Sequence, residues 1–284
     1  MTSFEPSPNP NCLLCHSTGY EVFAAGEYAQ AKTCRCVPNC ERCGGYGVIT
    51  LEQDGVLRSG RCRCQKLPDR TQLFNLAKIP ARHGKNTIAS FDHLKSGTGT
   101  QALAKAHKWM NNFSKKQEEK GFVFSGPVGT GKTHLLVGVI KNLIFEHGYR
   151  VRFVEFSRLL SSLRDGYSKG LSDSQLLDEL VEVPVLAIDE LGKGRVSDWE
   201  LTIIDELISR RYNAMKPIIG TTNYSWKQAQ GVSVPNLATM RYGDVALGDR
   251  VGERVFSRLQ QMCLCTEIQG KDYREPDLQK IHGF

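Results

Sequence analysis

The 284-residue chain has no apolar run approaching 18 residues, which excludes a membrane-spanning helix. Its first residues, Met1-Thr-Ser-Phe-Glu-Pro6, have neither the basic start nor the apolar stretch of a secretory signal, so the expected location is the cytoplasm. Cysteine is missing from residue 65 to residue 262; eight of the ten cysteines lie between residues 12 and 64, and only Cys263 and Cys265 lie elsewhere. A disulfide framework spread over the chain is thereby excluded, and a reducing cytosol argues against one inside the cluster. Acidic residues are the minority, 30 against 37 basic, for a formal charge of +7. Eight metal-bound thiolates and two Zn²⁺ would bring that to about +3, so charge alone is weak support for a nucleic-acid partner. The length leaves room for one full α/β domain and a small appendage.

The cysteine cluster is an internal repeat. Cys12, Cys15, Cys34 and Cys36 recur 28 residues later as Cys40, Cys43, Cys62 and Cys64, and Gly19 recurs as Gly47. Thiolate pairs spaced by one or two residues grip a metal from a tight turn, and two pairs complete a tetrahedral S₄ site. Two Zn²⁺ ions are therefore expected. Either each repeat holds its own ion, or the outer knuckles share one in a crossed arrangement; spacing leaves both open. Four cysteines leave no open coordination position, so the zinc is structural, and His16 beside Cys15 is surplus to both sites. The pattern resembles the cysteine-rich module of DnaJ-type co-chaperones, with different spacing between repeats. Cys263 and Cys265 alternate with Met262 and Leu264 and read as apolar residues of a last strand.

Residues 126–133, Gly-Pro-Val-Gly-Thr-Gly-Lys-Thr, form a phosphate-binding loop. Gly126, Pro127, Val128, Gly129, Thr130 and Gly131 supply backbone N–H groups to a phosphate chain. Lys132 brings charge to the β and γ phosphates, Thr133 offers a hydroxyl to Mg²⁺, and His134, which opens the helix that follows, is expected among the nucleotide-binding residues. The context fits: Gly121–Ser125 reads as a short apolar strand, and residues 134–145 carry the apolar spacing of a buried helix that Gly148 ends. ATP and Mg²⁺ are the expected ligands.

Hydrolysis also needs a carboxylate for the metal and a group to handle water. The apolar run 181–188 reads as a buried parallel strand ending in Asp189-Glu190, beside the phosphate loop. Asp189 is placed on Mg²⁺ and Glu190 on the attacking water. Another strand, from Lys216 to Gly220, runs into Thr221-Thr-Asn223, where the Asn223 amide can orient that water. Ser197-Asp-Trp-Glu200 is a capping box opening a helix to about Tyr212. Arg250, Arg254 and Arg258, four residues apart, are expected on one helix face.

Together the phosphate loop, Val185–Gly192, Ser209-Arg-Arg-Tyr212, Gly220-Thr-Thr-Asn-Tyr224 and Arg254-Val-Phe-Ser-Arg-Leu259 resemble the DnaC/DnaI helicase-loader branch of AAA+ ATPases and its transposon relative, the IstB ATPase. The resemblance covers about residues 79–276, beginning with Ile79-Pro-Ala-Arg82 and Ile88-Ala-Ser-Phe-Asp92. It implies an α/β AAA+ P-loop core, a parallel sheet between helices without a large lid, preceded by the small zinc module. Only 26 residues follow Arg258, in keeping with that. The expected division is a zinc module over 1–66, a linker and short helix over 67–100, and the ATPase domain over 101–284. The resemblance further implies that Arg258 acts in trans as an arginine finger, with Arg254 a lesser neighbour and Arg274 a second sensor. It implies an ATP-dependent homo-oligomer that holds single-stranded DNA and places the replicative hexameric helicase on it. The helical stretch 157–170 would face DNA, with Arg164, Tyr167 and Lys169 suited to phosphate contact and stacking. DnaI-type loaders carry a single-zinc N-terminal helicase-binding module, so the duplicated cysteines leave the partner of residues 1–66 open. Two other functions stay open too: a transposition helper acting on duplex DNA, and an ATP-switched protein-binding adaptor.

Overall fold

The computed structural model describes residues 6–93, 97–116, 119–168, 170, 172–194, 196–231 and 242–273. It divides into two compact units, residues 1–85 with 144–148 and residues 86–143 with 149–284. No helix of the described residues is long and apolar enough to cross a membrane.

The first unit is built from the repeat. Each copy is a cysteine knuckle followed by an antiparallel hairpin: β1 (Tyr20–Ala25) with β2 (Tyr28–Thr33), then β3 (Val48–Gln53) with β4 (Val56–Arg61). Helix α1 (Lys66–Leu76) packs on β2. Lys66 to Asp69 form its first turn. Pro68 falls in the first turn, where a helix loses nothing by lacking an N–H. The helix stops at Leu76, and Pro80 lies in a bridge with Tyr28.

The second unit opens with α2 (Gly99–Ser114), then β5 (Gly121–Ser125) and α3 (Lys132–Phe145). It continues through β6 (Val151–Glu155), α4 (Phe156–Ser168), α5 (Asp173–Glu182), β7 (Val185–Asp189) and α6 (Asp198–Asn213). It closes with β8 (Ile218–Thr222), α7 (Leu247–Val251), α8 (Glu253–Met262) and β9 (Cys263–Glu267). The five strands form one parallel sheet in the order β6-β7-β8-β5-β9. Every residue of β5, β7 and β8 is buried, as parallel strands covered on both faces require. The chain leaves β5 for the far edge at β6, works back to β8, and ends with β9 on the other side of β5. The order thus reverses around β5, and a ligand crevice opens at the carboxyl ends of strands at such a reversal.

The capping box at α6 is formed as its sequence requires: Glu200 N donates to Ser197 Oγ (3.3 Å) and Ser197 N to Glu200 Oε2 (3.4 Å). The three-arginine row is not. Gly252 takes φ 84°, ends α7 and starts α8, so Arg250 sits buried on a separate helix from Arg254 and Arg258. Cys263 is buried with its thiol toward Ile218 O (3.5 Å), and Cys265 is half-buried against Ser125 Oγ (3.5 Å). Burial pushes their thiols up to about 12 and about 11, so both stay neutral.

Arg211, in the Ser-Arg-Arg-Tyr run, is wholly buried and donates to the carbonyls of Leu180, Val181, Val183, Pro184 and Pro217. It satisfies the orphan carbonyls ending α5 and the approaches to β7 and β8 together. Arg211→Ala is expected to cost about 3 kcal/mol or more, because several buried carbonyls lose a charged donor at once. Urea unfolding with an unchanged midpoint would contradict this role.

Candidate functional site

The phosphate loop joins β5 to α3. Gly126, Gly129 and Gly131 all take positive φ, the backbone form that turns successive N–H groups into a concave cradle. Thr130 Oγ1 donates to Pro127 O at 2.9 Å, and the Lys132 ammonium reaches the same carbonyl at 2.5 Å. The first turn of α3 carries Thr133, whose hydroxyl lies 2.9 and 3.1 Å from the two carboxylate oxygens of Asp189, at the end of β7. His134 is held by Thr87 O (2.8 Å) and Ser90 Oγ (3.0 Å), and burial lowers its pKa.

Asp189 is the buried centre of the constellation. Thr221 Oγ1, from β8, donates to its Oδ1 at 2.6 Å and accepts the Glu190 N–H at 2.9 Å. Burial raises the Asp189 pKa, with Glu190 and Glu155 adding to the rise, while the Thr221 and Thr133 hydroxyls oppose it. A buried, hydroxyl-lined carboxylate beside Thr133 is a donor set suited to a hard divalent cation, which would favour its ionised form. Glu190 follows at φ 56°, a strained conformation for a non-glycine residue, and pairs with Lys193 Nζ at 2.5 Å. Pro127, Val128, Glu190, Lys193 and Asn223 line one cavity of about 740 Å³ with Tyr224, Tyr242 and Gln269.

Sequence reading missed Thr221, Lys193 and Arg250. Thr221 is the last residue but one of β8, two residues before Asn223, which follows the strand end. Arg250 donates through Nε to Gly192 O (3.1 Å), also to Gly194 O, and stacks on Tyr224 with 5.1 Å to the ring centre. It therefore pins the loop after Glu190 to the end of β8. Nothing in the sequence singles it out from its arginine neighbours.

Arg258 is absent from this cavity and pairs with Asp205 of α6 at 2.7 Å, while the more exposed Arg254 lies 3.7 Å from the same carboxylate. Arg164 is engaged by Glu200 (3.3 Å) and lies 4.8 Å over Trp199, with about half its side chain exposed (51%). Lys169, Arg274 and the side chain of Tyr167 lie outside the described residues.

The eight cysteines gather into two tetrads, Cys12/Cys15/Cys34/Cys36 and Cys40/Cys43/Cys62/Cys64, each with all four sulfurs within 4.8 Å of one another. Each repeat is thus its own set, not crossed. Sulfur separations are 3.8 Å for Cys12–Cys34, 3.4 Å for Cys15–Cys36, 3.7 Å for Cys40–Cys62 and 3.5 Å for Cys43–Cys64. Tetrahedral zinc with Zn–S near 2.3 Å requires about 3.8 Å, so both tetrads fit the ion.

A parallel sheet reversing at its phosphate-loop strand, with one strand (β8) between that strand and the strand that ends in the paired acids, defines an AAA+ P-loop ATPase. A family model described as IstB-like ATP binding protein matches residues 59–279, and the chain belongs to that family. It is 29% identical over 179 residues to the replicative helicase loader DnaC of Escherichia coli (strain K12), covering 62% of this chain and 71% of that protein. It is 28% identical over 210 residues to the uncharacterized protein YdaV of the same strain, covering 70% and 82%. A crystal structure of the DnaC helicase loader aligns with a TM-score of 0.54 at 32% identity, covering 66% of this chain and 99% of that one. A crystal structure of DnaI aligns at 0.51 and 19% identity, covering 65% and 92%, a likeness of fold alone.

Proposed function

We propose that this ATPase loads a replicative helicase onto single-stranded DNA. The observation that carries the reading is the match to the DnaC loader structure over 99% of its length at 32% identity. Lys132 and the loop N–H groups hold the phosphates, Thr133 and Asp189 hold Mg²⁺, Glu190 takes a proton from the attacking water, and Asn223 orients that water. Thr221 fixes Asp189 relative to Glu190. Arg258 completes the site of a neighbouring copy, held ready by Asp205. The cytoplasm, where the replicative helicase works, is the place of action. Arg164 reaches DNA phosphate only by leaving Glu200, so the DNA-facing role of α4 rests on its exposed half.

Each cysteine tetrad holds one structural Zn²⁺. The purified protein should contain about two zinc ions per chain. Chelation should unfold the hairpins and leave ATP binding by the second unit intact. A content of one ion, or none, measured by atomic emission would end that assignment.

The loading reading is tested by mixing the chain, its cognate hexameric helicase and a single-stranded circle bearing a forked duplex. ATP-dependent stimulation of unwinding is expected. Its absence, together with filaments on duplex DNA in electron micrographs, would indicate the transposition helper instead. No detectable single-strand binding with ATP present would favour the adaptor.

A further inference from the structure

The repeat is symmetric in sequence and register but not in what covers it. Ala24↔Ala29 and Val22↔Ala31 in the first hairpin correspond, 28 residues on, to Glu52↔Leu57 and Thr50↔Ser59 in the second. Each hairpin closes alike: Cys34 N donates to Gly19 O and Cys62 N to Gly47 O, both at 2.8 Å.

In the first copy the outer edge of β2 is engaged at Ala29 and Ala31. Ala31 N donates to Asn75 Oδ1 (2.6 Å), Asn75 Nδ2 returns a bond to Ala31 O (3.1 Å), and Ala29 N donates to Ile79 O (2.8 Å). A helix end bearing an asparagine, followed by the extended Ile79-Pro80, thus serves as a short third strand. Ala29, Phe74 and Ile79 are completely buried there. In the second copy the same register turns the N–H groups of Leu57 and Ser59 outward, and neither finds a partner among the described residues. Leu57, which stands where the first copy has Ala29, is 71% exposed, and Val48 and Val56 are exposed with it. An open edge strand carrying apolar side chains is a template for pairing with another chain.

We propose that the β4 edge docks a segment of the partner built like residues 75–80 of this chain: a helix ending in a side-chain amide, then an extended apolar pair. The first copy shows that occupant in place. Charge narrows it further. Arg58 stands exposed on β4, and Arg61 of the same strand already pairs with Asp69 of α1, so a helix with an acid before its amide complements this edge. The proposal takes the partner's identity, the replicative helicase, from the loader reading, and the mode of docking from the repeat.

Amide-resolved hydrogen exchange on the full chain, with and without the purified cognate helicase, tests it. Alone, the Leu57 and Ser59 amides should exchange at least about 100-fold faster than those of Ala29 and Ala31. Helicase should protect them. Ser59→Pro removes an outward donor while sparing the bonds between β3 and β4, and Leu57→Lys charges the exposed side chain. Each should weaken helicase binding about tenfold or more, with zinc content and the chain's own ATPase rate unchanged. Undiminished binding by both variants, with unprotected Leu57 and Ser59 amides in the complex, overturns the docking edge and leaves the loader reading standing. Failure of the unaltered chain to bind the helicase overturns both.

Discussion

Glu190→Gln protein is expected to bind ATP as tightly as the unaltered chain and to hydrolyse it at least about 100-fold more slowly. The amide keeps the shape of the carboxylate and the backbone bond from Glu190 N to Thr221, but it accepts no proton from water. Phosphate contacts through Lys132 and the loop are untouched, so binding measured with a fluorescent nucleotide should not move. The ion pair with Lys193 sharpens the expectation. The Lys193 ammonium occupies a Glu190 carboxylate oxygen at 2.5 Å, so the unaltered chain must part the pair to open that oxygen to water before it turns over. Lys193→Ala should therefore keep or raise the basal rate, the opposite sign to Glu190→Gln. Hydrolysis at the normal rate by Glu190→Gln would remove Glu190 from the role of base. Lys132→Ala gives the contrasting signature, loss of nucleotide binding itself.

Much of this site is legible in the sequence because its parts are contiguous. A phosphate loop carries its own glycines, its lysine and its hydroxyl within eight residues, and a buried strand ending in two acids declares itself by composition. The cysteine repeat is legible for the same reason, although only three dimensions choose between two separate tetrads and a crossed pair. What spacing could not show is which side chains serve at a distance. Thr221 reaches Asp189 because β8 lies beside β7, an adjacency fixed by the strand order rather than by local pattern. Arg250 looked like the first of three arginines on one helix. A single left-handed glycine at position 252 breaks the helix, and tertiary contacts with Gly192, Gly194 and Tyr224 claim its guanidinium. The Asn75 clasp on β2 is hidden likewise, since a surface asparagine near a helix end ordinarily marks only a turn.

Mixtures of two dead variants should recover activity. Arg258→Ala subunits keep an intact phosphate loop and lack the finger, whereas Lys132→Ala subunits keep the finger and lack the loop lysine. Alone, each should turn over at least about 1,000-fold more slowly than the unaltered chain, since a finger stabilises transition-state charge and the lysine is needed to hold the phosphates. In a head-to-tail assembly each site takes its loop from one subunit and its finger from the next. Random mixing at equal amounts then places a sound loop against a sound finger at about one interface in four, which sets the ceiling on recovery. Single-stranded DNA should raise the recovered rate if it promotes assembly. The intrachain pair between Arg258 and Asp205 supplies a further check, because Asp205→Ala would leave the finger without its hold. Such subunits should bind ATP normally and lose part of their turnover, through weaker positioning rather than loss of charge. Mixtures that never recover, or an Arg258→Ala protein at full rate, would reduce Arg258 to a surface ion-pair partner of Asp205 and remove the shared site on which the oligomeric loader depends.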